Sequence, residues 1–370
     1  MPQIHFRRGE RPLHQQLTRL ADEYFAQRRQ ARTGTAALYT KALIILSLYG
    51  LTYSAIFLLP QTLNLIAWLA HGIATALLGF NVMHDGAHQS FSQSRFLNRL
   101  AALSFNLIGS NRFYWAQKHN RNHHSFTNVD EVDEDIDAMG LLRMSPHQRR
   151  YWFHRGQHIY AWLLYPLTSL FWFFVLDYRA WWRQKIGQRD FARKPSGRDQ
   201  FEFWLSKCLY LVIYLLIPLQ FFSPAHVLSG FLLMHAALGF LFAVVFQLAH
   251  VVDKAEFLSP DEQGALADEW AAHQLRTTVD FAPDNRLLSW LLGGLNFQVE
   301  HHLFPRISHV HYPALHRLLS NAGMVPAVRC YPGLWQALKG HYHHLRQLGQ
   351  ANRRQPYSGG TPAHDALPKC

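Results

Sequence analysis

The sequence predicts an all-α integral membrane protein: four transmembrane helices in two hairpins, with a cytosolic helical cap carrying a histidine-rich site for two metal ions. Three observations predict it. Four apolar runs of about 20 residues, the length that crosses a bilayer, fall into two pairs, each joined by a very short turn. Basic residues gather in blocks beside those runs. Histidines, 24 among 370 residues, cluster at helical spacing where apolar runs end.

Residues 1–36 are polar and basic, with Leu13, Leu17, Leu20 and Phe25 at roughly helical spacing among arginines. They predict a cytosolic leader helix, lying on the membrane surface or packed as a cap helix. No short apolar core with a small-residue cleavage site marks a signal peptide. The first span is 37–59, Pro60-Gln61 is the turn, and the second span is 62–83, ending directly at His84. The second hairpin is 203–222 and 225–251 around Ser223-Pro224, with His250 at its end. Arg28, Arg29, Arg32 and Lys41 flank the first hairpin, and Lys207 and Lys254 the second. The positive-inside rule then puts these ends, both termini and the histidines in the cytosol.

Residues 84–202 and 252–349 form the cap, and the Gly-, Pro- and Ser-containing segment 350–370 is predicted to be a disordered tail. Phe96 to Ile108 is too short to span, and Tyr160 to Leu176, interrupted by Pro166 between arginine-rich blocks, is predicted to be interfacial or half-buried. The net charge of +12 would also suit nucleic acid. The basic blocks, however, adjoin apolar runs, where anionic headgroups account for them better, and no nucleic-acid-binding motif is present. Mean hydropathy, −0.11, averages over this segregation. Cys208, Cys330 and Cys370 show no C-x-x-C spacing, which argues against a sulfur-ligated metal.

The segment Gln298-Val299-Glu300-His301-His302 holds two adjacent imidazoles, with Gln298 one helical turn upstream. Neighbouring helical side chains diverge by about 100°, so adjacent histidines serve one small ion poorly but can each serve one ion of a close pair. His84 and His88 stand one turn apart, His119 precedes the adjacent pair His123-His124, and His250 closes an apolar run. Neutral imidazole is a ready ligand for divalent transition metals. Eight histidines, with Gln298 as a weak oxygen ligand or as the holder of a bound water, would suit two ions. Zinc, copper and iron all accept such a set. The zinc-hydrolase motif H-E-x-x-H is absent.

His84-x-x-x-His88, His119-x-x-x-His123-His124 and Gln298-x-x-His301-His302 resemble the three histidine boxes of the integral-membrane fatty acid desaturases. Gln298, within Gln-Val-Glu-His-His-Leu-Phe-Pro, resembles the front-end subgroup, whose members insert double bonds between an existing one and the carboxyl end. The resemblance runs from about residue 37 to about residue 319. It implies two non-haem irons held by His84, His88, His119, His123, His124, His301 and His302, with His250 as the additional histidine, Gln298 at the metal, and O2 as co-substrate. It further implies a fatty acyl substrate, as acyl-CoA or membrane lipid, and a cis double bond as product. Many eukaryotic front-end members carry a fused haem domain with His-Pro-Gly-Gly; that motif is absent here. Electrons are therefore expected from a separate donor, a ferredoxin or a cytochrome b type protein with its reductase.

Among carboxylates, Asp85, Asp130 and Asp133 are candidates for orienting ligand imidazoles. The alternatives are a helix cap for Asp85 and a solvated turn for the stretch 130–137, in which Glu131 and Asp135 are further candidates. His273 is read as a surface or core histidine, His309, His311, His316, His341, His343 and His344 as cap surface, and Trp115, Trp181 and Trp182 as interface anchors. A lipid hydroxylase on the same diiron scaffold is the alternative enzyme. A metal transporter or sensor is the more distant reading, disfavoured because its ligands would lie near the bilayer midplane along a path.

Overall fold

The computed structural model describes residues 4–7, 12–323 and 328–350, so the tail predicted over 350–370 lies, after residue 350, outside the described residues. Among them the chain is helical, with three two-residue strand pairs as its only sheet. The leader forms α1 (Pro12–Arg28). Its apolar stripe, Leu17, Ala21 and Phe25, is buried against Phe297, Leu303 and Leu315. The leader thus packs its apolar stripe on the third-box region, one of the two arrangements expected for it.

The first hairpin is α2 (Ala36–Leu58) and α3 (Gln61–Leu78). A π-type turn at Gly79–Met83 carries α3 into α4 (His84–Ala87), where the His84 N–H bonds back to Gly79. α5 (Arg95–Leu107), capped by Ser94, crosses α4 so closely that a Cβ on Gly86 would lie 2.6 Å from Ala101 Cβ. α6 (Arg112–Trp115), capped by Asn111, continues as a second π-type turn over Ala116–His123. α7 (Gln157–Leu164), α8 (Thr168–Phe171) and α9 (Asp177–Arg183) join end to end into one helical stretch. Ser196 and Asp199 form a capping box on α10 (Gly197–Leu211), and Ser223 caps α11 (Pro224–His250). The cap is completed by α12 (Trp270–Thr277), α13 (Arg286–Leu291), α14 (Gln298–Leu303), α15 (Tyr312–Ala322) and α16 (Leu334–Gln350).

Five helical stretches, rather than the four predicted, are long and apolar enough to cross a membrane by length and composition: Ala36–Leu58, Gln61–Ala87, Trp152–Arg183, Gly197–Gln220 and Pro224–His250. The additional one contains the run read as interfacial. Pro166 does not break it, because a proline near the start of a short 3-10 turn removes no obligatory hydrogen bond. Its middle packs on the middle of α11: Ser169 Oγ bonds His235, and the Pro166 carbonyl lies where a Cβ on Gly239 would fall. Near its start His154 Nε2 bonds the Gly140 carbonyl, and near its end Trp181 Nε1 donates to Gln200.

Two lysines read as facing headgroups are inside the protein. Lys207 Nζ lies 2.7 Å from Asp177 Oδ2 and also donates to the carbonyls of Gly109 and Phe173. Lys41 Nζ sits 3.0 Å from His309 Nε2 beneath Trp290. Neighbouring elements cover both positions, which hydropathy along the chain does not reveal.

α3 and α11 approach closely at Gly72, where a Cβ would collide with the Met234 carbonyl. Small residues permit such contacts between apolar helices. Gly72→Leu is expected to destabilise the protein by about 1–3 kcal/mol, the usual range for overpacking, seen as a lowered midpoint of thermal unfolding in detergent.

Candidate metal centre

α3/α4 and α11 run antiparallel to their hairpin partners, so His84, His88 and His250 arrive at the same end of the bundle. The two π-type turns adjust the register there. In the second, the His124 N–H donates to the His119 carbonyl five residues back, 2.9 Å away. His119 consequently meets both members of the adjacent pair, with ring centroids 5.1 Å from His123 and 4.7 Å from His124. In α14, His301 and His302 diverge, their planes 88° apart.

The eight histidines converge into two sets. Ligand nitrogens of His84, His88, His119 and His301 lie within 4.8 Å of one another, and so do those of His123, His250 and His302. His124 groups with His301 and His302 and joins the two sets. Every one of these residues is buried. Nε2 of His84, His88, His123, His250, His301 and His302 are buried without a hydrogen-bond partner, and His124 brings its Nε2 to 3.1 Å from His119 Nε2. Buried polar atoms are seldom left unpaired, so inward-facing nitrogens in this number fit metal ligation.

The opposite ring nitrogens are held. His123 Nδ1 lies 3.0 Å from Asp133 Oδ2, and His302 Nδ1 2.8 Å from Gln274 Oε1. His301 Nδ1 lies 3.1 Å from the Tyr312 hydroxyl, and His250 Nδ1 3.4 Å from the Thr277 carbonyl. These partners fix ring orientation and leave Nε2 for an ion. Burial, reinforced by neighbouring imidazoles, holds His88, His119, His124, His301 and His302 well below the usual histidine range, hence neutral. At His123 burial acts in the same direction, but the charge and hydrogen bond of Asp133, with Asp135, raise it instead.

Of the three carboxylates singled out, Asp133 reaches a predicted ligand directly. It also accepts the N–H groups of Asn128 and Asp135, which locks the turn behind His123. Asp85 turns away from His84: its carboxylate accepts from Ser308 Oγ at 2.7 Å and lies 3.0 Å from His309 Nδ1, tying α4 to the segment after α14. Asp130 corrects the expectation more fully, since its carboxylate accepts from Ser145 Oγ and faces Gln148 and His147. Asp135 lies 3.4 Å from His123 Nδ1 and 2.8 Å from Lys118, whereas Glu131 is exposed on a left-handed turn. Gln298 is buried, and its amide nitrogen donates to the Leu295 carbonyl at 2.7 Å.

Gln274, Tyr312 and Thr277 were missed in the sequence. Gln274 follows His273 in α12, and no local spacing marks it out, because its burial is set by neighbouring elements. His273 is itself core, bonding the Thr127 carbonyl. His309, His311, His316, His341 and His344, read from the sequence as cap surface, are instead buried beneath neighbouring elements; of that group only His343 is exposed. His316 joins Asp280 and Glu300, its Nδ1 3.0 Å from each carboxylate, while Asp280 Oδ1 accepts the Val299 N–H. That cluster clamps α14 from behind. Trp115 is not an interface anchor: it is buried and stacks on His119 with centroids 4.3 Å apart.

A cavity of about 250 Å³ adjoins the centre. His119 and Trp115 line it, with Leu164, Phe171, Phe242 and Phe246, and its polar lining includes Lys118 and Asp135.

The fatty acid desaturase profile matches residues 60–327. Two cyanobacterial proteins named sn-1 linoleoyl-lipid 6-desaturase are similar. The one from Arthrospira platensis is 33% identical over 82% of this chain and 83% of its own length. The one from Synechocystis is 34% identical over 91% and 95%. An acyl-lipid (8-3)-desaturase of Physcomitrium patens is 36% identical over 84% of this chain and 66% of its own. With its apolar helices meeting around these histidines, the chain belongs to the fatty acid desaturase family of membrane oxidoreductases.

Proposed function

We propose that this protein inserts a cis double bond into the fatty acyl chain of a membrane lipid, with front-end, delta-6-like regiochemistry, at a centre of two iron ions. The observation that carries the reading is the pair of inward-facing imidazole sets beside an apolar cavity walled by His119. The relatives named linoleoyl-lipid 6-desaturases support the acyl-lipid substrate and the regiochemistry. Bound there, the irons would supply O2 activation and the removal of hydrogen from two adjacent methylenes. His84, His88, His119 and His301 would hold one ion and His123, His250 and His302 the other, with His124 between them. The apolar walls position the chain and exclude water. The electrons that such a centre consumes would come from a redox protein of ferredoxin or cytochrome b type.

In this reading four helices cross the bilayer: α2, α3 with its extension, α10 and α11. The stretch Trp152–Arg183 does not cross in this reading, because both its ends adjoin segments leading to the second box. Gly140 follows the acidic stretch behind His123, and Gln200 lies beside Glu202, which binds Arg112 at the start of α6. Arg28, Arg29 and Arg32 at the same end support a cytosolic centre.

The test is the fatty-acid profile of host lipids with and without expression of the chain. A new unsaturated species is expected, with its double bond on the carboxyl side of an existing one, and an unchanged profile in iron-replete cells overturns the reading. Ala243, which lines the cavity, gives a second prediction. Ala243→Phe is expected to depress turnover on long chains at least tenfold while iron content stays constant, since filling the cavity touches no ligand (order of magnitude from pocket discrimination). Gln298 gives a third. Gln298→His should retain measurable activity, whereas Gln298→Val should lose most of it along with some iron, measured as iron per chain and product formed. Wild-type iron and turnover in Gln298→Val would make the residue structural.

A further inference from the structure

Away from the metal centre, α5 and α10 enclose a second cavity of about 500 Å³ that no predicted metal ligand lines. Along most of its length the wall is apolar: Leu100, Leu103 and Leu107 from α5 face Leu205, Leu209 and Ile213 from the α10 side. Leu100, Leu205 and Leu209 are exposed, so the groove opens onto the outer face of an apolar helix rather than into the core. One end is polar and unusually rich in guanidinium groups. Arg99 and Arg198 bind Glu202 Oε1 at 2.6 and 3.1 Å, and Arg112 binds Oε2 at 3.0 Å. Three arginines on one carboxylate leave a local excess of two positive charges. Each guanidinium has five N–H donors and uses one in these contacts. Among the described residues that line the groove, Glu202 is the only acid. Inside the groove Asn106 Oδ1 is buried with no partner.

We propose that this groove is a binding site for an anionic glycerophospholipid. The phosphate sits against Arg99 and Arg198, and one acyl chain lies along the leucine-lined channel between α5 and α10. Charge complementarity selects the headgroup. Arginine matches phosphate oxygens through paired donors, and a basic cluster at the edge of an apolar helix is where an anionic leaflet is felt. The apolar wall selects a lipid over a soluble phosphate. The bound lipid would hold α5, and through its contact with Gly86 the first histidine box, against α10. The site is independent of the dimetal assignment and uses none of its residues.

The experiment uses full-length protein in neutral detergent micelles, with phosphatidylglycerol or phosphatidylcholine added at matched concentration. Native mass spectrometry reads retained lipid, and thermal unfolding reads stabilisation. Wild-type protein is expected to retain one phosphatidylglycerol and to be stabilised by it more than by phosphatidylcholine. Arg99→Gln combined with Arg198→Gln should weaken phosphatidylglycerol binding roughly 25-fold, about fivefold for each arginine. Leu209→Trp, which fills the channel and leaves every arginine in place, should also abolish retention. Equal stabilisation by the two lipids overturns the proposal, as does a preference that survives both variants. Inorganic phosphate reproducing the stabilisation would reduce the site to a free-anion site and likewise overturn it.

Discussion

His302→Ala is expected to abolish turnover and to lower the iron content from two ions per chain toward one. His302 is the one histidine shared by the set containing His123 and His250 and the set containing His124 and His301. Its removal strips the second position to three imidazoles at most and opens a gap beside His124, whose ring lies 4.3 Å away. The first position keeps His84, His88, His119 and His301 and should still fill. Iron analysis of reconstituted protein, read beside product formation, checks this directly. His343→Ala is the control, because His343 is exposed on α16 and should change neither reading. Two irons and full turnover in His302→Ala would sink the dinuclear assignment.

The second large effect is expected at Asp133. This buried carboxylate orients His123 and accepts two backbone N–H groups of the turn that follows the second box. Asp133→Asn keeps the shape but removes the charge that favours Nδ1–H on His123, and should weaken binding of the second ion by about 10- to 100-fold. Asp133→Ala removes the acceptors as well. It should add a stability loss of about 1–3 kcal/mol for the unpaired buried donors. Metal titration of the apo variants, with thermal unfolding measured in parallel, separates the two contributions. Equal metal affinity in wild type and Asp133→Asn would show that the carboxylate serves the turn alone.

The gathering of these histidines lay open in the sequence because helical period sets which side chains share a face. Residues four apart share a face, adjacent ones part, and an imidazole at the end of an apolar run sits where a membrane helix meets a cap. The hairpins were equally open, since bilayer thickness sets a run length that the residues must meet. The bounds of α2 and α11 lie within a residue of those read from hydropathy.

What fixes the imidazoles in place was hidden. Gln274 and Thr277 come from α12 and Tyr312 from the start of α15, and a partner's hydrogen bond leaves no period in its own segment. Asp130 and Asp133, three residues apart in one acidic stretch, point to different neighbours because the turn between them reverses. Composition alone gave them the same standing.

By itself, then, the sequence determined that the chain is helical and apolar enough for membranes, and which histidines gather. These follow from local spacing and from transfer of side chains between water and hydrocarbon. Only the tertiary structure decided which ring nitrogens have partners, that Lys41 and Lys207 are buried, that α1 packs on the third-box region, and that Trp115 stacks on His119. Each depends on a contact between residues far apart in the chain, and no property of either segment alone encodes what the other brings to it.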